Sequence, residues 1–346
     1  MAVTPADADI IAGEEVRAQE SVMSNLAEGQ LHCSRIRLKS KRSLDQLAIG
    51  LKGQLYPSTV PSRGWGSVHD DADDLRKTSK HRPAVHPPLV AAGHSGLPRM
   101  LKARYYWDAV DVKAKRVLAN KGATADPLDV HTFNAVDLVI AKSGTPHVYE
   151  GVFTSRNETE IARYVNDGLR QSFAAIDSSS TVEMDSSDFI VESDFYMWLV
   201  HRYDGDPKLD TDLKLEVVRS LSSEDGLSRP LSLASGAQMD RAELAAAVLQ
   251  RSGKLGPAQF AVYSSLLDLT LELELHPDGS FQIIIGKCFY RDRQPRHVIG
   301  PRLVDDAVYK IIPAVISAYS TDLTWPTPGY DALMDKAKKV LIDHAK

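Results

Sequence analysis

Leu269-Thr270-Leu271-Glu272-Leu273-Glu274-Leu275 alternates apolar and polar residues without a break, His276-Pro277-Asp278-Gly279 follows, and the chain returns through the apolar-rich run 281–289. A period of two puts the four leucines on one face of a strand, and an Asp-Gly pair is the residue choice of a tight reversal. The stretch therefore predicts a β-hairpin over 269–289 with one polar face. Outward from it, 213–221 (Leu-Lys-Leu-Glu-Val-Val-Arg-Ser-Leu) reads as a further strand and 240–250 as an Ala-rich helix. Downstream, 304–319 and 330–345 have helical spacing, and Pro313 demands a kink or a break in the first of them.

Upstream, 136–141 and 147–153 read as two strands around a Gly144-Thr145-Pro146 turn, followed by a helix capped at Asn157 that reaches Phe173. The cluster 189–203, with Trp198 inside it, is the densest core candidate in the middle of the chain. Residues 31–38 read as a strand, 43–51 as a helix with Ser43 at its cap, and 97–122 as helical in part, ending at Asn120-Lys121-Gly122. Strands and helices in this mixed order favour an α+β fold, with mixed or antiparallel sheets, flanking helices and two domains. The organisation that follows is an acidic tail or short helix over 1–30, a basic N-terminal region over 31–125, and an acidic α+β domain over 126–346 that carries the hairpin and the C-terminal helices. Within the basic region, 56–99 is rich in proline, glycine and histidine, which excludes long regular elements there.

The chain has 346 residues, enough for two cores. Its apolar and charged fractions, 43% and 25%, are those of folded proteins, which excludes wholesale disorder. No apolar run approaches the ~18 residues of a membrane span, so no membrane association is expected. Met1 is followed by Ala-Val-Thr-Pro and acids, without the basic and apolar regions of a secretory signal. Cys33 and Cys288 are the two cysteines, far apart in sequence, and a cytoplasmic, reducing setting fits them.

The formal net charge of −5 conceals an asymmetry. Residues 31–120 hold seventeen Lys and Arg against seven Asp, a local excess of +10, which leaves −15 on the remainder. A basic part on an acidic remainder points to a polyanionic partner. The densest stretch is Arg35-Ile36-Arg37-Leu38-Lys39-Ser40-Lys41-Arg42. In an extended strand Arg35, Arg37, Lys39 and Lys41 share a face that could meet successive phosphates, while Ile36 and Leu38 enter a core. Arg42 and Arg104 extend the row, and Arg99, Lys102, Lys113, Lys115 and Arg116 add to the excess. The plainer reading is a half-exposed strand whose wet side is basic. Tyr105-Tyr106-Trp107 and Trp65 lie among these cations, where aromatic rings either stack on bases or fill a core.

Phosphate-cradling motifs are absent: there is no G-x-x-x-x-G-K-[ST] and no G-x-G-x-x-G. His94-Ser95-Gly96 lacks the glycine that a nucleophile elbow needs two residues after its serine, since Leu97 stands there. His69, His81, His86 and His94 match no zinc spacing.

Asp137 and Glu150 lie in consecutive strands with a turn between them, and two such carboxylates can grip Mg²⁺ and activate water against a phosphodiester. With Gln171 in the helix that follows, the stretch resembles the PD-(D/E)xK nuclease core over some forty residues. The resemblance implies Asp137 and Glu150 as catalytic and metal-binding residues. It departs where Val152 replaces the lysine that orients the water, with Arg156 or Arg163 as substitutes. The functional expectation is a nucleic-acid-binding protein, DNA or RNA, that is either a Mg²⁺-dependent nuclease or its inactive relic. The alternative is a non-enzymatic interaction or scaffold protein that binds a protein partner or a second copy of itself.

Overall fold

A computed structural model describes residues 30–57, 61–66, 87–93, 96–122, 124, 130–155, 166–184, 189–224, 230–232, 240–249, 254–292 and 302–346. The fold is α+β, with antiparallel strand pairing and flanking helices. The chain divides into two compact units. Arg35–Met184 belongs to the first, while Glu28–Ser34, Asp185–Pro295 and Arg302–Lys346 belong to the second.

In the first unit, strand β1 (Gln30–Lys39, entered at Arg35) leads into helix α1 (Leu44–Lys52). The hydroxyl of Ser43 accepts from the amide of Gln46 and the Gln46 side chain accepts from the amide of Ser43, so two orphan donors of the first turn are satisfied. Two short strands, β2 (Arg63–Trp65) and β3 (Leu89–Ala91), both pair with the long strand β4 (Met100–Val110). Helix α2 (Val112–Asn120) follows, then β5 (His131–Lys142), β6 (Val148–Ser155), helix α3 (Asn166–Ile176) and β7 (Thr181–Glu183). The strand order is β1-β6-β5-β4-β2, and β7 pairs with β1. β4 and β5 pair along their whole lengths, from Met100 opposite Ala141 to Val110 opposite His131.

The expectation of helix over 97–122 is corrected, since 100–110 is a strand and the helix begins only at Val112. Both faces of β4 are covered, so the period of two is masked by apolar residues on either side. Tyr105 and Trp107 pack with Trp65, Phe173, Leu138 and Phe153 on one face, and Tyr106 meets Tyr56 on the other. The Trp65 indole donates to the Ser172 hydroxyl at 3.1 Å. These rings are core, not a stacking platform for bases.

The face of β4 and β5 opposite that core carries charge out of contact with water. Arg104 is 2% exposed and donates to both oxygens of Asp137, at 2.7 and 3.0 Å, directly across the strand pair.

The second unit opens with the first residues of β1, which pair antiparallel with Phe281–Ile284. Its elements are α4 (Ser193–Asp204), β8 (Lys208–Asp210), β9 (Leu213–Glu224), β10 (Pro230–Ser232), α5 (Ala242–Leu249), β11 (Lys254–Ser264), β12 (Leu269–Leu275), β13 (Phe281–Ile284), β14 (Phe289–Tyr290), α6 (Ile312–Thr321) and α7 (Tyr330–His344). β12 and β13 are the hairpin expected from the alternation, with Leu273 opposite Ile283. Gly279 has a φ of 78° at its turn, and a Cβ there would lie 2.2 Å from the Phe189 carbonyl oxygen, so two constraints select glycine. The return strand ends at Ile284, and after a 3₁₀ turn β14 pairs back onto Leu269 and Thr270.

The polar face of β12 is not wholly wet. Glu272 is 1% exposed and accepts from Arg219 and Lys287 at 2.8 Å and from Gln259 at 2.5 Å. Burial pushes its carboxyl up, but the donors outweigh burial and hold it below the usual range. Pro313 is accommodated by a π-helical turn, Ala307–Ile311, which widens the helix immediately before it. Both thiols are buried, and burial raises that of Cys288 to about 12. Among the described residues, no helix is long and apolar enough to cross a membrane.

The buried pair between β4 and β5 gives a stability prediction. Asp137→Ala strands the Arg104 guanidinium and is expected to lower the unfolding free energy by about 3–5 kcal/mol in urea titrations. Arg104→Met combined with Asp137→Leu removes both charges and is expected to lose less than the single change.

Candidate anion-binding pocket

The basic stretch of β1 ends in a turn, Ser40 to Ser43, that three groups hold in place. Asp177, just past α3, accepts from the Ser40 hydroxyl at 2.7 Å and from the Lys41 amide at 2.9 Å. The Ser40 amide donates to the His147 carbonyl at 2.9 Å, and the Tyr149 hydroxyl donates to the Arg42 carbonyl at 2.5 Å. Burial raises the Tyr149 phenol, which keeps it a donor. Hydrogen bonds from Ser179, Ser40 and the Lys41 amide hold the Asp177 carboxyl well below the usual carboxylate range.

This turn forms one wall of a cavity of about 540 Å³. The β4–β5 register brings the other walls together: Arg99 directly precedes β4, Lys142 closes β5, and the turn between β5 and β6 supplies His147. His147 has a φ of 62°, a conformation that few non-glycine residues adopt. Lys41, Arg99 and Lys142 against Asp45 give the lining a formal charge of +2 with His147 neutral. Arg99 is bound to Asp45 through two contacts, at 2.7 and 3.1 Å. Lys41, Lys142 and the neighbouring Arg42 are exposed, and among the described residues no acid lies within ion-pair distance of any of them. The first turn of α1 also faces the cavity through Ser43 and Leu44, adding the positive end of a helix dipole. Chemically, the arrangement can hold an anion with charge-assisted hydrogen bonds.

The other site residues read from the sequence are placed differently. Asp137 stands opposite Thr154 and Glu150 opposite Ala141, so the two carboxylates share a sheet face but lie four residues apart along β5, about 13 Å. Each is engaged by a guanidinium: Asp137 by Arg104, and Glu150 by Arg37 at 2.7–2.8 Å. Burial pushes the Asp137 carboxyl up, against the pull of Arg104. Among the described residues, no group of three His, Cys, Asp or Glu side chains could hold a metal ion, so the donor set does not fit the Mg²⁺ that the nuclease resemblance implies. Gln171 accepts from Arg63, Val152 is fully buried, and Arg156 and Arg163 lie outside the described residues, as do His69, His81, His86 and His94.

Of the basic row, Arg37 is bound to Glu150 and Lys39 to Glu183 at 2.5 Å, while Arg35 is half-buried. Arg104 is enclosed with Asp137. Lys41 and Arg42 are the members of the row that remain open to solvent without an acid partner among the described residues. In the sequence Arg99 counts only toward the regional excess and Lys142 and His147 lie outside the basic row, because tertiary pairing, not spacing, makes these positions neighbours of Lys41. Pro98 and Pro146, which mark strand ends beside two of them, were the available signal. No family model matches the chain, and no curated protein matches it.

Asp177 is a positioning residue for the Lys41 turn, and its effect has a defined pH sign. Because its carboxyl is depressed, its hold on the turn is complete above the ordinary carboxylate pKa and is lost only as pH falls through the depressed value. Asp177→Ala is expected to speed hydrogen exchange of the Lys41 amide by up to about tenfold at neutral pH, read by NMR. Wild-type exchange, corrected for the intrinsic rate, stays protected down to mildly acid pH.

Proposed function

We propose that the protein binds nucleic acid by its phosphates, at the pocket formed by Lys41, Arg99, Lys142 and His147 with Arg42 on its rim. The observation that carries this reading is that Lys41, Arg42 and Lys142, exposed and without an acid partner among the described residues, gather around one concavity. A lysine ammonium without an acid partner gives up hydration and mobile counterions when it meets a phosphate, which is favourable and sensitive to salt. A paired one must first lose its carboxylate. Arg99 keeps Asp45 and lines the pocket with it. The clamped Ser40–Ser43 turn limits the motion of Lys41 before a ligand arrives, which lowers the ordering cost of binding. The net negative charge of the remaining chain repels the polymer elsewhere and confines it to this surface.

Binding without cleavage is the form of the function that the geometry supports. The hydrolytic reading requires two carboxylates free to share a cation, and both are committed to arginines.

Fluorescence anisotropy with labelled single-stranded and duplex oligonucleotides tests the reading. Wild-type affinity is expected to fall linearly in log–log form as salt rises. K41E/R42E/K142E is expected to weaken binding by about tenfold or more at ~100 mM salt and to flatten the salt slope by about 2–3. Absence of wild-type binding to every oligonucleotide at low salt removes the proposal.

A further inference from the structure

Helix α2 has no buried residue. Ala114 and Leu118, its two half-buried positions, fall on one side at helical spacing, and Arg116 lies on the opposite side with Lys113 and Lys115 flanking it. Lys121 stands at the C-cap. Among the described residues, none of these four cations has an acid within ion-pair distance. Asp111 is occupied as the N-cap, accepting from the amides of Lys113 and Ala114 at 2.9 and 3.0 Å.

This charge pattern does not serve the helix itself. Inside the first turn there is no acid beyond the N-cap, and Lys113 and Lys115 put cations where the helix dipole favours anions. Lys113 and Arg116 are like charges three residues apart, which repel. A helix that carries Lys113, Lys115 and Arg116 outward, with no acid in ion-pair distance among the described residues, presents a face suited to an anion.

We infer that α2 is a second contact surface for the phosphate backbone of a nucleic-acid duplex; the inference rests on the proposed function of the pocket. Two observations favour this occupant over other anions. α2 exposes Val112 and Val117 but has no broad apolar face and no aromatic residue, so it lacks what an amphipathic helix inserts into a lipid surface. In addition, α2 and the pocket lie at opposite ends of β4: Arg99 precedes its first residue and Asp111 follows its last. Along an eleven-residue strand that separation is about 35 Å. A polymer with evenly spaced charges reaches both ends, and about one helical turn of duplex, roughly ten base pairs, spans the distance.

Hairpin duplexes of about 6 and about 16 base pairs test this by anisotropy at fixed salt, with lengths chosen to fall short of one helical turn or exceed it. The wild-type protein is expected to bind the longer duplex at least about tenfold more tightly than the shorter one. K113E/K115E/R116E is expected to lose that length advantage and to retain the affinity for the short duplex, whereas K41E/R42E/K142E weakens both. Circular dichroism with unchanged helix content confirms folding, and K113Q/K115Q/R116Q repeats the test without charge reversal. If both α2 variants bind the long duplex as wild type does while the pocket variant fails, α2 is not a contact and the proposed function stands. If the wild type binds neither duplex, the proposed function fails and this inference with it. Binding of the wild type to phosphatidylserine vesicles, lost in the α2 variants, without a duplex length advantage assigns the helix to a lipid surface and overturns the inference.

Discussion

The ion pair between Arg104 and Asp137 is the constraint from which the first unit's functional geometry follows. Two charges are enclosed on a sheet face, directly opposite one another on β4 and β5, in contact through both carboxylate oxygens. Desolvating such a pair is expensive, and the loss is recovered only with direct, two-point contact. A slip of one residue between these strands would send one partner to the other face and leave a buried charge alone. The pair therefore specifies register as well as contact. Register in turn decides what lies at the two ends of the strands: Met100 opposite Ala141 makes Arg99 and Lys142 neighbours, and Val110 opposite His131 places the start of α2. The candidate pocket and the cationic helix are both consequences of that alignment.

The described cations of the basic region divide into two populations by what surrounds them. Those on strand faces meet cross-strand acids, as Arg37 meets Glu150, Lys39 meets Glu183 and Arg104 meets Asp137. Those at strand ends, in the Ser40–Ser43 turn and on α2, extend beyond the reach of a cross-strand partner and face water. Burial and the cost of unpaired charge account for the first population. The second carries the electrostatic potential that a partner would sense. The second unit follows the same rule, since Glu272, enclosed in its sheet, gathers Arg219, Lys287 and Gln259, and Asp306 accepts from the Tyr290 hydroxyl at 2.6 Å and pairs with Lys310.

Much of the local structure was legible from the residues. The leucine alternation and the Asp-Gly turn identified the β12–β13 hairpin, Ser43 with Gln46 capped α1, and the spacing of 330–345 announced α7, because each of these signals is local and one-sided. β4 is not legible as a strand because, covered on both faces, it has no alternation to display. The carboxylates Asp137 and Glu150 were visible as residues on adjacent strands, but their guanidinium partners come from β4 and β1, and no sequence spacing announces such a pairing.

The sequence by itself determined the fold class, several elements with one-sided local signals and the unequal distribution of charge, since these depend on periodicity, capping and composition within a few residues of each position. Which cations stay free was decided by the tertiary structure alone. Strand pairing sets which side chains stand opposite one another, and a charge is neutralised or left to solvent according to a neighbour a hundred residues away, as Arg37 and Glu150 show.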